Sequence, residues 1–426
     1  MIVKWQRGVP VYGIPVLSGR FFVVAAVAAL GAVLVIYRQV VGLGPTTGMT
    51  DAYAWGIWKT FNTMVLTALG SGSFAIGIAA WIFKKRRLHS VMRVALLISF
   101  VAYAAGLLAL GVDVGRPWNF WNAMLPWRWN TGSALLEVSL CMPLYAMFPL
   151  FLENTPPLLE RLYYLHPQLE RPIRRLVPII RATYPWVVAL AYVLPILHQS
   201  SLGALMLLAG PRVHPLWQTP LLPLLYVWAA AFVGVATVIV VLLLCLLTWK
   251  RRLDAAVMRA LAALTSGLAL WWLVVRLIDI LVRGQAFTAF SLDWYALVFW
   301  TETFSIGGAA LALRRPRVLG SKYHLFWASM AIVAGGMIYR YAPPVLAFTA
   351  EPMASYTPSV IEILISLGFI AMAWLGFQIA VKLLPILPAP VGEWFDMADY
   401  YQHLYPWVAK WRAEHAASQH RPGYAN

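Results

Sequence analysis

The sequence is poor in charge. Only 12% of its 426 residues are Asp, Glu, Lys or Arg, and only 16 are acidic. That is about half the charged share of an ordinary soluble domain. Combined with a 61% hydrophobic content, it excludes a typical water-soluble globule and reads as an all-α polytopic membrane protein. Cysteine is limited to Cys141 and Cys245, both inside apolar runs. Two thiols cannot hold a cluster that takes four thiolates. No iron–sulfur cluster is expected in this chain, and both cysteines read as small buried hydrophobes. Histidine is limited to eight residues, of which only His198 falls well inside an apolar run. A b haem held by two histidines needs facing imidazoles at one depth, so no haem is expected. No histidine–carboxylate spacing suggests a metal site.

The charge that is present is basic, with a net of +17. It is clustered as KKRR (84–87), RR (174–175), KRR (250–252) and RRPR (314–317), each between apolar runs. This is the positive-inside signature of membrane topology, not a nucleic-acid footprint, and such loops also face anionic lipid headgroups. Ten spans are expected, near 20–41, 56–83, 90–111, 131–153, 183–207, 221–249, 258–282, 292–313, 323–342 and 358–384, each meeting the ~20-residue requirement. No cleavable signal precedes the first. The basic loops put both termini in the cytoplasm. The chain divides into a cytoplasmic segment 1–19, a transmembrane domain 20–384 and a cytoplasmic tail 385–426.

The opposite loops are rich in Pro, Gly and aromatics, with Trp118, Trp121, Trp127 and Trp129 crowding one of them. Indoles anchor at the headgroup level. GLGPTTG (42–48) and GSGS (70–73) look superficially like nucleotide loops. Neither sits in a strand–helix unit, and GSGS reads as close packing by small residues.

Ionisable residues inside a membrane are costly and call for a partner or a function. Asp113 lies at the outer end of the third expected span. Glu137 is ~9 Å into the fourth and His198 ~13 Å below the outer end of the fifth, at a rise of about 1.5 Å per residue. Consecutive helices are usually neighbours, so the three are expected to converge. His198 belongs to LPILHQSSLGALM (194–206), where His198, Gln199, Ser200 and Ser201 follow one another. They should line a cavity or bind neighbouring backbone. His198 reads as either functional or a satisfied core histidine. A second set lies in later spans. Arg276 and Asp279 are spaced to pair at i, i+3. Glu302, Arg340 and Glu362 stand apart from them, and Glu302 and Glu362, without an evident local partner, are candidates for a proton relay together with Arg276 and Asp279.

The segments AWGIWKTFNTM (54–64), GVDVGRPWN (111–119), GSALLEVSLCM (132–142), LPILHQSSLGALM (194–206), VHPLWQ (213–218), WYALVFWTET (294–303), IEILISLGF (361–369) and LLPILP (383–388) resemble the HybB-type integral membrane subunit of nickel–iron hydrogenases, within the NrfD and polysulfide-reductase membrane-subunit superfamily. The resemblance implies ten helices, as two four-helix bundles plus two flanking helices, in a bacterial or archaeal cytoplasmic (inner) membrane. It implies electron exchange with menaquinone or ubiquinone. The implied partner is a ferredoxin-like four-cluster iron–sulfur subunit on the outer face, joined by the hydrogenase small and large subunits. Asp113 and Arg116 match the family's DVGR segment, Glu137 its ALLE segment, and His198 with Gln199 its HQSS segment. Glu302 and Glu362 match later acids. Pro117 and Ile361 depart from the hydrogenase pattern, where an aromatic and an acid stand.

On this reading His198, Gln199, Ser200, Arg116 and Asp113 seat the quinone, and Asp113 or Glu137 supplies protons. Buried acids and a near-neutral imidazole suit that work. The rival classes are a secondary transporter, which would show helices broken at mid-membrane, and a purely structural anchor. Within the redox class, a sulfur-compound, nitrite or molybdenum oxidoreductase could stand in place of the hydrogenase.

Overall fold

The computed structural model describes residues 15–113, 117–249, 254–349 and 355–387. Arg116, the basic cluster 250–252, most of the segment 1–19 and nearly all of the tail lie outside the described residues. The described chain is helical, with no strand and one isolated bridge between Val213 and Phe348.

Ten principal helices follow in order: α1 (Gly19–Val41), α2 (Ile57–Ile82), α3 (Met92–Asp113), α4 (Ala134–Glu153), α5 (Glu170–Leu208), α6 (Leu222–Trp249), α7 (Ala255–Val282), α8 (Trp294–Ala312), α9 (Lys322–Tyr341) and α10 (Val360–Leu383). All except α8 and α9 are long and apolar enough to cross a membrane by length and composition. Those two have 19 and 20 residues and bury Glu302 and Arg340, which dilutes their apolar character. The bounds agree with the sequence reading to a few residues, except that α5 begins at Glu170 rather than near 183. The segment that carries Arg174 and Arg175, expected to be a loop between spans, is itself helical. At 39 residues, α5 is about 58 Å long, roughly twice the hydrocarbon thickness, so it projects well beyond it.

α6 packs against α2, α5, α7 and α9, and α7, α8 and α9 close a ring with it. α2, α3, α4 and α5 pack in sequence on its other side. α1 packs mainly on α10, which packs on α3. Burial follows this order: 78% of the apolar window of α6 is buried against 6% of that of α1.

α2 is interrupted at Gly70–Ser71 and carries π turns at Phe61–Val65 and Ile78–Ile82. The expectation of close packing at GSGS holds, because Gly72 meets Gly234 of α6 backbone to backbone. The break also shows that a discontinuous helix, taken above as a transporter feature, is present here. In α4, Pro149 lacks an N–H and sits in a π turn over Ala146–Leu150.

Candidate functional site

The polar groups of the HQSS stretch part company. Gln199 is fully buried and its Nε2 reaches Thr67 Oγ1 (3.2 Å), Ser71 Oγ (3.3 Å) and Tyr103 Oη (3.2 Å). It thereby ties α5 to the break in α2 and to α3. Around that break Ser99 bonds the Gly70 carbonyl and Ser73 (2.7 Å), and Ser73 meets the Tyr145 hydroxyl (3.1 Å). These hydroxyls satisfy backbone that an unbroken helix would satisfy itself. Ser200 does not join them. Its hydroxyl donates to the Leu197 carbonyl of its own helix at 2.9 Å, so its expected place in the site is not supported.

His198 is fully buried, and neither ring nitrogen makes a well-aligned hydrogen bond among the described residues, although the Val138 backbone of α4 lies beside the ring. Its ring meets the Tyr103 ring edge-on, with centroids 5.6 Å apart. Gln199 Oε1 and both polar side-chain atoms of buried Asn62 also lack a hydrogen-bond partner among the described residues. Buried polar atoms in native proteins nearly always find partners, so such a group points to an absent ligand or water. One turn along α5, Ser201 donates to the Glu137 carboxylate and to the Leu197 carbonyl (2.7 Å). Glu137 sits in the first turn of α4 with its side chain exposed, beside Val138. Glu137 thus meets α5 at Ser201, one turn from His198.

Asp113 is not with them. Its carboxylate pairs with buried Arg38 of α1 at 3.2 Å, and Arg38 also holds the Val112 carbonyl (3.1 Å) and lies 4.9 Å from the Trp58 ring. Asp113 is ten residues from Tyr103 along α3, or ~15 Å at the helical rise. The depths expected from the helix ends already set Asp113 ~13 Å above His198, and that separation keeps the two apart.

The later set also regroups. Arg276 pairs with Glu302 across α7 and α8, not with Asp279. Glu302 accepts a second bond from Trp217 Nε1 at 3.1 Å. Asp279 takes Thr219 Oγ1 (2.8 Å) and Arg283 (2.9 Å), and Arg283 holds the Pro215 and Gln218 carbonyls. Glu362 caps α10 and accepts from the Gly48 amide (2.5 Å) and the Tyr356 hydroxyl (2.6 Å). Burial and that bond push the Tyr356 phenol upward. Glu302 and Glu362, for which the sequence offered no evident local partner, find partners on other elements in Arg276, Trp217 and Gly48.

Tyr103, Asn62 and Arg38 were missed. An aromatic or amide in an apolar run carries no signal until its neighbours are known. Arg340 was noticed without a role.

The family described as "Polysulphide reductase, NrfD" matches residues 45–343, which spans α2 to α9. The "Probable Ni/Fe-hydrogenase 2 b-type cytochrome subunit" of Escherichia coli is 31% identical over 83% of this chain and 89% of its own. The "Menaquinone reductase, integral membrane subunit" of Nitratidesulfovibrio vulgaris is 28% identical over 82% and 86%. The "Hdr-like menaquinol oxidoreductase integral membrane subunit" of Archaeoglobus fulgidus is 22% identical over 87% and 94%. The first of these names mentions a b-type cytochrome. Here the buried histidine among the described residues is His198, and its ring faces a tyrosine, not a second imidazole. That donor set does not fit a haem with two histidine ligands.

Proposed function

The chain belongs to the NrfD polysulphide-reductase family of membrane subunits, and from that premise we propose that it is the quinone-reactive membrane subunit of a respiratory oxidoreductase. Ten helices span a bacterial or archaeal cytoplasmic membrane as two four-helix units with α1 and α10 at their flank, and both termini are cytoplasmic. A ferredoxin-like iron–sulfur subunit on the outer face delivers or takes electrons, and the complex is most simply a nickel–iron hydrogenase. The names of the hydrogenase and menaquinone relatives support this class.

The observation that carries the reading is His198, a fully buried imidazole with no well-aligned hydrogen bond at either nitrogen among the described residues, one turn from the Ser201–Glu137 bond. Menaquinone or ubiquinone supplies two carbonyl oxygens that take two electrons and two protons. A neutral imidazole donates a hydrogen bond to one such oxygen. Gln199, clamped by three hydroxyl contacts, fixes the register of His198 on α5. Glu137, exposed yet tied to Ser201, is placed to take protons from outside and pass them inward. Glu302, Glu362, Arg276 and Asp279 we assign to holding helices and loops, not to a relay.

His198→Ala and Glu137→Gln are expected to abolish quinone-linked turnover while the complex still assembles. Turnover at the wild-type rate in both variants rejects the assignment.

A further inference from the structure

Arg340 is a buried cation with no acid paired to it among the described residues. It lies one residue from the end of α9 and is 1% exposed. Its Nη2 donates to the Tyr226 carbonyl at 2.5 Å, and its guanidinium lies 4.2 Å from the Tyr226 ring. Nε and Nη1 have no hydrogen-bond partner among the described residues. Other buried or half-buried arginines are matched: Arg38 with Asp113, Arg276 with Glu302, Arg283 with Asp279. Glu302 shares the Tyr226 and Tyr339 neighbourhood with Arg340 but is taken by Arg276 and Trp217.

A buried charge lacking an opposite charge is destabilising, and a ring face with one carbonyl compensates only part of it. Tyr226, whose ring Arg340 covers, reaches Met64 Sδ at 4.0 Å, one turn along α2 from the Thr67 that holds Gln199. The orphaned atoms of His198, Gln199 and Arg340 therefore belong to one neighbourhood, approached from α5 on one side and α9 on the other.

We infer that Arg340 is the second pole of the quinone site, a guanidinium that hydrogen-bonds the ring oxygen opposite the one held by His198. The inference rests on the quinone reading above. As electrons reach the ring ahead of protons, negative charge builds on its oxygens, and a fixed cation favours that charge. The conversion balances without Arg340 as a reactant: the quinone takes two electrons from the iron–sulfur partner and two protons to become the quinol, and Arg340 keeps its own proton. The head group then lies at the seam between α2–α5 and α6–α9, so both helix groups build the site.

The test is binding of a hydroxyquinoline N-oxide, a fluorescent quinol analogue with an acidic ring oxygen, and of a short-chain naphthoquinone. The full-length protein is used in lipid nanodiscs, alongside Arg340→Met, Arg340→Lys and His198→Ala. Arg340→Met is expected to bind the N-oxide about tenfold to a hundredfold more weakly, the loss of one charge-assisted bond. Arg340→Lys falls between. Ligand-free Arg340→Met should unfold at the wild-type temperature or above it, because an unpaired charge has gone. Undiminished binding by Arg340→Met, with binding lost in His198→Ala, overturns the inference and leaves the quinone reading standing. A lower unfolding temperature or failure to fold in Arg340→Met makes the guanidinium structural and also overturns it. If the wild type binds neither probe, the quinone reading itself falls.

Discussion

Arg276 and Glu302 form a buried ion pair across α7 and α8, although sequence spacing matched Arg276 to Asp279. The guanidinium turns inward among the rings of Trp217, Trp272, Phe299 and Tyr339, at 4.8–5.8 Å from their centroids. Asp279 faces the loop before α6 instead. Removing one member strands a charge in an apolar ring. Glu302→Gln should cost about 3–5 kcal/mol, and Arg276→Met with Glu302→Leu should recover most of it. Chemical unfolding of the single and double variants measures this. A proton-to-electron ratio that is unchanged in vesicles carrying the double variant separates a structural pair from a relay.

Asp113 and Arg38 join α3 to the peripheral α1. α1 also packs tightly on α10 at Gly31 and Gly368, where an added Cβ would lie 2.5 Å from the opposing Cα. Asp113→Asn is therefore expected to loosen α1, with quinone turnover kept within about threefold of wild type, less than 1 kcal/mol of transition-state stabilisation. Cysteine cross-linking between α1 and α10 reports the loosening. A loss of turnover comparable to that of His198→Ala would return Asp113 to the site.

Most of the helix pattern was legible because a span's length and apolarity are local properties of the chain. α5 was not, since RPIRRLVPIIR has loop-like charge and proline yet continues the helix. The HQSS stretch was legible as anomalous, and Glu137 as its neighbour, because consecutive helices pack. Partner choice was not legible. Arg276 has an acid one turn away and takes another from the next helix, and Glu362 is satisfied by Gly48, more than 300 positions earlier. Long-range pairing depends on side-chain direction and helix rotation, which spacing does not encode. Arg340 shows the same limit, since only the folded chain reveals that no acid among the described residues meets it.

His214 gives a pH dependence on the loop between α5 and α6. Its ring stacks on Tyr295 at 4.2 Å, and its Nδ1 accepts from the Leu216 amide at 3.4 Å. Burial holds it below its ordinary 6.5, partly opposed by Asp293. The unfolded chain then takes up a proton at higher pH than the folded one. The stability gained by keeping this ring neutral is complete above about pH 6.5 and is lost as pH falls below it. His214→Gln cannot titrate. The unfolding temperature of the wild type, relative to that variant, should drop between about pH 7.5 and 5. A constant difference would mean that the ring titrates alike in both states.

Gly234 and Gly308 offer opposite outcomes for the same substitution. A Cβ on Gly234 would lie 2.2 Å from the Gly72 amide nitrogen and 2.6 Å from the Ser71 carbonyl carbon. Both are backbone atoms, so relief requires α2 and α6 to move apart at the break that carries Ser71 and its bond to Gln199. Gly234→Ala should destabilise by about 3 kcal/mol or more, at the upper end of overpacking costs. It should also weaken quinone binding, because the contacts holding His198 in register shift with it. Gly308 is an exposed position within α8 with nothing near its missing Cβ. Gly308→Ala should stabilise by about 0.5–1 kcal/mol through reduced backbone entropy in the unfolded chain. Unfolding curves of the two variants check the contrast. Equal stability would show that α2 and α6 do not meet at Gly72 and Gly234, and with that contact would go the support beneath Gln199.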